Sequence, residues 1–299
     1  MPHNAPLSGK GVALSVLASV LFALLSGYTT LLKPLDGLAI YAWRVLWTFP
    51  GVLLLIALSG QWPRFKAECA RLRSEPLLWL ALPALAAMLG LQLWLFMWAP
   101  LHGQAMPVAM GYFLLPLAMV LVGRLLYHER LQCLQWLAVG CALLGVAHEL
   151  WLTRAFAWSS LVVVAGYPPY FVLRRWSRLE AITGFALEMA LMCPAAILIL
   201  LSLGHAGWGV ISQPVFWLLL PGLGIISTIA LVCYLSASRL LPLGLLGVLG
   251  YVEPVLLFLL AVLMLGEPLT ADRLLTYVPI WIAVLLAGLD SAWRLRRGR

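Results

Sequence analysis

Three ionisable side chains interrupt otherwise apolar stretches of the sequence, and their types suit the binding of a polar solute. Arg44 lies in YAWRVLW, Glu188 in FALEMAL and Glu253 in GYVEPVL. A charge near the centre of a bilayer costs about 2.5–3.5 kcal/mol on insertion scales, so an ionisable residue inside a membrane span is a functional candidate by default. We therefore interpret all three as substrate-binding candidates.

The three charges differ in the chemistry that they offer. The planar guanidinium of Arg44 suits a carboxylate and stays protonated when desolvated, although a counter-ion for Glu253 and a contact with the external interface are alternatives. Glu188 could bind an amine or exchange a proton, or it could make a packing hydrogen bond as a protonated acid. Glu253 precedes Pro254, and a proline inside a membrane helix is tolerated mainly where the backbone lines a cavity.

Aromatic residues form a second set of candidates. Their rings can stack on a substrate or hold an ammonium group by cation–π attraction, worth about 0.5–2 kcal/mol. Tyr170 follows two consecutive prolines and Tyr251 lies two residues before Glu253, which favours these two. Most tryptophans of membrane proteins lie at the interface or in packing, so a structural role is the alternative for the other candidates, which are Trp43, Trp94, Trp98, Tyr112 and Tyr167.

Other polar residues indicate structure rather than function. Glu129 and Glu267 lie at predicted span ends, where a carboxylate can bond helix-terminal amides. Asp290 can pair with Arg294 one helical turn later. The histidines do not cluster, the five cysteines show no ligand spacing, and no GxxxxGK[ST] loop is present. The sequence therefore predicts no cofactor, no metal site and no ATP-driven step.

The elements that must position these residues are membrane-spanning helices. Of the 299 residues, 64% are hydrophobic and 10% are charged, whereas soluble domains carry about 25% charge, so a soluble globule is excluded. The apolar runs are continuous, which excludes the alternation of a β-barrel. A span needs about 20 apolar residues. Division at charged and Pro/Gly-rich breaks predicts an all-α membrane protein with ten spans, at approximately 11–32, 38–58, 76–98, 104–123, 131–148, 157–173, 181–203, 214–237, 243–265 and 273–290.

The position of the basic residues explains the net charge of +8. With the N-terminus inside, 15 of the 19 Lys and Arg, Arg174 among them, fall in cytoplasmic loops or the tail. Three fall outside (Lys33, Arg154 and Arg273), and Arg44 lies in a span. This asymmetry is the positive-inside bias of membrane proteins rather than a nucleic-acid surface. We predict cytoplasmic N- and C-termini, a multi-pass protein of the bacterial inner membrane, and no nucleic-acid partner.

An internal repeat divides the chain. Pro116 and Glu129 recur as Pro254 and Glu267, each 138 residues later. Five spans end on the side of the membrane opposite to where they began, so the second copy must be inverted. We predict two five-helix repeats, over 1–150 and 151–299, with a site near the midplane between them, as in secondary transporters.

Five blocks carry a family resemblance over nearly the whole chain: QLWLFMWA (92–99), GYFLLPL (111–117), ERLQCLQWLAV (129–139), EAITGFALE (180–188) and FLLAVLMLGEPLTADRLLTYVPIWIAVLLAGLD (258–290). Together they resemble the RarD branch of the EamA group in the drug/metabolite transporter superfamily. The resemblance implies ten helices in two inverted repeats, a central cavity, and transport without ATP hydrolysis. It also matches Arg44 and Glu188 to charged positions of the RarD pattern, and matches four residues to aromatic ones: Trp94, Trp98, Tyr112 and Tyr170.

The leading hypothesis is a secondary active transporter, not an enzyme, that exports a small polar or zwitterionic metabolite by alternating access. Its partners would be that small molecule and the lipid bilayer, with protons as a candidate coupling ion and either a monomer or a homodimer as the assembly. The family relationship suggests an opine-type metallophore as one such metabolite. A broad-specificity drug exporter is the alternative within transport. A membrane-embedded enzyme is the alternative of another class, and it would need a nucleophile beside a base.

Overall fold

The computed structural model describes residues 8–129, 132–256 and 271–297, and that part of the chain forms helices without any strand. The prediction of an all-α protein is confirmed. The helices are α1 (Gly9–Tyr28), α2 (Gly37–Leu58), α3 (Trp62–Ser74), α4 (Leu78–Trp98), α5 (Ala105–Tyr127), α6 (Cys133–Thr153), α7 (Trp158–Ser177), α8 (Ala181–Leu203), α9 (His205–Trp208), α10 (Phe216–Leu240), α11 (Leu243–Gly250) and α12 (Ala271–Arg297). Short 3-10 turns follow α1, α4 and α9.

Eight helices in the described part are long and apolar enough to cross a membrane: Gly9–Leu32, Gly37–Leu58, Leu78–Trp98, Met106–Tyr127, Cys133–Thr153, Ala181–Leu203, Phe216–Leu240 and Leu274–Ser291. Their outer surfaces expose large apolar side chains such as Leu80 and Leu218, at 73% and 75%, which suits contact with lipid tails. A shorter apolar helix covers Leu243–Leu256. The remainder of the predicted span 243–265, together with Glu267 of the repeat, lies outside the described residues.

The helices group into two compact units, and each unit draws on both halves of the chain. The first contains Met1–Ala23, Met106–Pro168 and Ser236–Arg299, and the second contains Leu24–Ala105 and Pro169–Leu235. We call them unit 1 and unit 2. These units group residues by their contacts, whereas the predicted repeats divide the chain by sequence at residue 150. The two repeats over 1–150 and 151–299 therefore stay a prediction.

In unit 2, α8 packs on α2 and α4, and the short helix α3 contacts one end of this bundle. Helix α2 begins after Asp36, whose carboxylate accepts a hydrogen bond from the Ala39 amide at 2.7 Å, as expected of an N-cap. Helix α10 approaches α2 at Gly224, where an added Cβ would lie 2.5 Å from the backbone of Trp47. Small residues therefore set the helix spacing here, as is common in membrane proteins.

In unit 1, α12 packs along α6 through alanines, with Ala138 and Ala142 facing the Ile280–Ala287 stretch in one buried cluster. A polar bond crosses this interface, since the Gln135 amide donates to the Asp290 carboxylate at 2.9 Å and both side chains are buried. The predicted partner Arg294 has no described side chain. Asp290 therefore serves helix packing, through a residue that the sequence did not single out.

The carboxylate of Glu129 caps the N-terminus of α11. Its two oxygens accept hydrogen bonds from the amides of Leu243 and Gly244, at 2.8 and 2.9 Å. The first amides of a helix have no partner within the helix, and a negative charge there is favoured by the helix dipole. The expectation that Glu129 bonds helix-terminal amides is confirmed.

Candidate functional site

Arg44 occupies a buried strip of hydroxyl groups between α2 and α10. Its side chain is only 2% exposed, and its Nε donates a hydrogen bond to the Ser227 hydroxyl at 2.7 Å. One turn further along, the Thr228 hydroxyl donates to the backbone carbonyl of Thr48 at 3.2 Å. The Ser227 hydroxyl accepts this bond as a neutral group. The strip thus combines a permanent positive charge with neutral hydrogen-bonding groups.

Glu188 lies in a buried ion pair, a contact that the sequence did not predict. Arg174 Nη1 donates to Glu188 Oε1, and the Tyr170 hydroxyl donates to Glu188 Oε2 at 2.9 Å. Tyr170 and Arg174 are four residues apart on α7, so they share one face, and Arg174 Nη1 also lies 3.2 Å from the tyrosine hydroxyl. All three side chains are buried. Two predicted site residues, Tyr170 and Glu188, therefore bond directly to each other, and a third residue, Arg174, contacts both.

Arg174 also holds the beginning of α8. Its Nη2 donates to the carbonyls of Glu180 and Ala181, at 3.0 and 2.9 Å. Its side chain is only 3% exposed and lies within α7, so the expectation that Arg174 lies in a loop was wrong, whereas its side of the membrane stays a prediction. The physical reason is its neighbour: a carboxylate at Glu188 offsets the cost of burying the guanidinium inside the helix bundle. The spacing Tyr170 to Arg174 was a signal for this cluster, because residues four apart face the same way on a helix.

Helix α3 contacts the connection between α7 and α8. Glu68 is 4% exposed, and its Oε1 accepts a hydrogen bond from the Glu180 amide at 3.0 Å, so it caps α8 from another helix. Its Oε2 accepts from Arg71 at 3.0 Å, and Arg71 donates to the Ser177 carbonyl at 3.1 Å. Arg71 also makes two bonds to Glu75, which raise the pKa of the arginine and lower the pKa of that glutamate. We call residues 174–181, with the side chains that hold them, the α7–α8 corner.

The predicted site residues of unit 1 are mostly tyrosines. Tyr251 is fully buried, and its hydroxyl donates to the Phe113 carbonyl at 2.9 Å, in the turn of α5 before Pro116. Tyr112 and Tyr167 lie with ring centroids 6.1 Å apart. Glu253 is partly buried. In this unit, the hydrogen bond from the Tyr251 hydroxyl therefore links the end of α11 to α5.

The predicted tryptophans lie in unit 2 and contact other aromatic rings. The Trp43 indole N–H donates to the Gly207 carbonyl at 2.9 Å, and its ring meets Trp208 edge-on at 5.1 Å. Trp94 and Trp98 lie one turn apart with centroids at 5.2 Å, and Trp98 stacks on His102 at 4.2 Å. The hydrogen bond from Trp43 to Gly207 attaches α2 to the short helix α9, which follows α8. Trp94 and Trp98 are partly exposed and stay predictions of substrate contact.

A small apolar cavity lies beside Trp43 in unit 2. Its volume is about 70 Å³, and its walls are Trp43, Trp47, Ile211, Phe216, Trp217 and Leu220. Small-molecule sites usually measure about 300–1,000 Å³. The cavity is therefore too small to hold a metabolite in this conformation.

The predicted binding residues divide between the two units. Unit 2 contains Arg44, Glu188, Tyr170, Trp43, Trp94 and Trp98, and unit 1 contains Tyr112, Tyr167, Tyr251 and Glu253. Sequence reasoning missed Arg174, Glu68 and Ser227, which supply the partners of the buried charges. The contacts of Glu68 and Ser227 join positions 112 and 183 residues apart. Only the spacing of Arg174 from Tyr170 pointed to any of the three.

Comparison with known proteins finds relatives of full length. The chain is 54% identical to "Chloramphenicol-sensitive protein RarD" of Pseudomonas aeruginosa, over 97% of both chains. It is 36% identical to an uncharacterized transporter of Haemophilus influenzae, again over 97% of both. It is also 31% identical to "Protein RarD" of Salmonella typhi, over 98% of this chain and 99% of that one. These relatives are named as transporters or RarD proteins, which points away from an enzyme.

A solved structure shares the fold. A crystal structure of another protein superimposes with a TM-score of 0.67 at 21% sequence identity, covering 94% of this chain and 98% of the other. At this identity the likeness shows the fold alone. No family model matches the sequence.

Proposed function

This chain belongs to the RarD family of bacterial multi-pass membrane transporters, and from that premise we propose that it exports a small metabolite that carries a carboxylate. Transport would proceed by alternating access, without ATP hydrolysis. The polar or zwitterionic character of the substrate follows from the charges that the helices bury. Among such metabolites, an amino-acid-derived opine-type metallophore offers several carboxylates.

The observation that carries this proposal is the burial of Arg44. Its side chain is 2% exposed within a candidate span, and its Nε bonds a neutral hydroxyl at 2.7 Å. Close packing of α2 on α10 can be achieved by apolar or neutral polar residues, so a guanidinium adds a cost of about 2.5–3.5 kcal/mol that packing does not require. A substrate carboxylate would bond the guanidinium through two parallel N–H donors, which a hydroxyl cannot match. The Ser227 and Thr228 hydroxyls could hold the remaining polar atoms of such a ligand.

The sequence suggested that Glu188 binds a substrate amine or exchanges a proton, but we propose a structural role for it. Both of its oxygens accept bonds, one from Arg174 and one from Tyr170. A substrate amine would have to displace a buried ion pair, so we assign Glu188 and Tyr170 to the support of the α7–α8 corner. Glu253 stays the candidate for an amine or a coupling proton, because it is partly buried beside Pro254.

The topology belongs to the same proposal. Ten spans in two inverted repeats, with both termini in the cytoplasm, account for the distribution of Lys and Arg along the chain. A reporter fused after Arg299, and another inserted near Arg71, should both report the cytoplasm. An external signal from either position would contradict this topology without bearing on the substrate.

The decisive experiment first identifies the substrate and then tests Arg44. Metabolite profiling of cells and medium, with and without the protein, should reveal a carboxylate-bearing compound retained in the cells that lack it. In proteoliposomes, Arg44→Gln and Arg44→Lys should both lose transport of that compound. Lysine keeps the charge but not the planar pair of donors. The matched control is Arg64→Gln, an exposed arginine of α3, which should transport normally.

Two results would contradict the proposal. Near-normal substrate affinity in Arg44→Lys would show that only the charge matters, and a substrate without a carboxylate would remove the reason for the arginine. One relative is named for chloramphenicol sensitivity, and chloramphenicol carries no carboxylate. Export of chloramphenicol that survives Arg44→Gln would therefore favour the drug-exporter alternative.

A further inference from the structure

Helix α3 is held at the surface of the membrane by its connections. It follows α2 after a turn at Gly60, which has a positive φ of 65°, and α4 begins four residues after α3 ends. Both flanking helices are candidate spans. Their adjoining ends expose Leu58 at 79% and Trp79 at 67%, as expected of lipid-facing positions. With 13 residues, α3 is about 20 Å long, so it cannot move away from the level where the two spans end.

The inward face of α3 is fixed by charged contacts. Glu68 caps α8 through the Glu180 amide, and Arg71 donates to the Ser177 carbonyl, at 3.0 and 3.1 Å. These bonds join α3 to the α7–α8 corner at two points along its length. They determine the rotation of the helix about its axis, and hence which residues face outward.

The outward face carries cations and an aromatic ring. Trp62 is 42% exposed, and Lys66 and Arg73 are exposed as well. At 100° per residue these three positions fall within about 40° of one another on the helix surface. The Trp62 ring is steadied by Phe65, which it meets edge-on at 5.6 Å. Within the described ranges, neither Lys66 nor Arg73 takes part in a hydrogen bond or ion pair.

We propose that the strip of Trp62, Lys66 and Arg73 on α3 binds the headgroups of anionic phospholipids. A tryptophan ring settles at the level of the headgroups, and basic side chains beside it attract negatively charged lipids. The strip offers both features on one surface, and the opposite face of the helix is already bound to protein. The inference goes beyond transport and depends on no particular substrate.

Lipid binding at this strip has a consequence for the buried charges. The helix that receives the lipid on one face holds the start of α8 on the other, through Glu68. A ligand that binds the folded state and not the unfolded state stabilises the folded state. Anionic lipid should therefore raise the thermal stability of the α7–α8 corner, to which Arg174 and Glu188 belong.

The test compares protein in nanodiscs of phosphatidylcholine alone with protein in nanodiscs that also contain phosphatidylglycerol. In the unlabelled protein, phosphatidylglycerol should raise the unfolding temperature and remain bound in native mass spectra. The double variant Lys66→Gln/Arg73→Gln should lose both effects while unfolding normally in phosphatidylcholine. The charge-matched control is Lys33→Gln/Arg154→Gln, two exposed cations of other connections, which should respond as the unmodified protein does.

A fluorescent probe locates the contact. Ala70 is exposed on the outward side of α3, so Ala70→Cys, in a chain whose five cysteines are replaced, places a dye beside the strip. Its emission should shift to the blue with phosphatidylglycerol, and high salt should reverse the shift. Equal stability and equal emission in the two lipids would overturn the proposal. It would also be overturned if the Lys66→Gln/Arg73→Gln variant kept the response, or if soluble glycerol phosphate reproduced it.

Discussion

The Arg174–Glu188 pair allows a direct measurement of how this protein tolerates charge inside its helix bundle. Glu188→Gln keeps the size of the side chain and can still accept the Tyr170 hydrogen bond, but it leaves the Arg174 charge buried without its carboxylate. Arg174→Met removes the positive charge and also takes the donor away from the carbonyls of Glu180 and Ala181. Removal of one partner of a buried pair costs about 3–5 kcal/mol. Both variants should lose stability, and Arg174→Met should lose more.

The double variant separates the cost of charge from the cost of lost contacts. Arg174→Met combined with Glu188→Gln replaces both charges by neutral side chains of similar length. Buried pairs replaced together are often neutral in stability, so the double variant should be more stable than the two single losses predict when added. The expected coupling between the two positions is about 1–3 kcal/mol.

Unfolding in mixed micelles, followed by circular dichroism, supplies the four free energies of this cycle. The matched control is Glu75→Gln, which removes the exposed carboxylate that pairs with Arg71 at the end of α3. It should change stability much less than the buried variants, because water replaces this carboxylate. Additive losses at Arg174 and Glu188 would refute the reasoning. So would single variants that are no more damaging than the control.

Three further predictions concern stability alone. Glu129→Ala should lower the free energy of unfolding by about 1–2 kcal/mol, measured in denaturant, because the first two amides of α11 lose their cap. Gly224→Ala should lower the unfolding temperature, at a cost of about 1–3 kcal/mol, since its new methyl would lie 2.5 Å from backbone, whereas Gly140→Ala, which meets open space, should not. Arg71 lowers the pKa of Glu75, so this pair stabilises the fold above the ordinary carboxyl pKa of about 4.5 and less as pH falls through the lowered value. A melting series on either side of that pH should show this loss, and Glu75→Gln should abolish it.

The sequence predicted the positions of helices well wherever apolar runs ended at turn residues. The predicted span 181–203 coincides with α8, and 38–58 differs from α2 by one residue. Helix α7 covers the predicted span 157–173 and continues to Ser177, but it is not among the eight candidate spans of the described residues. Arg174 and Arg175 resembled a loop because a charge normally ends a span, and the carboxylate that balances Arg174 lies 14 residues further along. Helix α3 was not foreseen, since its apolar content is low.

The candidate site was predictable in its residue types but not in its contacts. Burial of Arg44 followed from its position within an apolar run, and the structure places it at 2% exposure. Its partner Ser227 is 183 residues away, in a segment whose sequence gives no sign of the contact. The cap made by Glu129 was foreseen as a type of interaction, but the helix that it serves was not, because pairing over 114 residues depends on the packed fold. Local chemistry is thus readable from sequence, whereas long-range partners are not.

The two carboxylates that cap helices from elsewhere in the chain also order events during synthesis. Glu68 precedes the Glu180 amide by 112 residues, and Glu129 precedes the Leu243 amide by 114. On the ribosome each acid is therefore made well before the helix that it caps. When α8 and α11 are made, the acceptors for their first amides are therefore already part of the chain, so these helices need not leave those amides unbonded in the membrane. The earlier segments thus supply the hydrogen-bond acceptors that the later helices need.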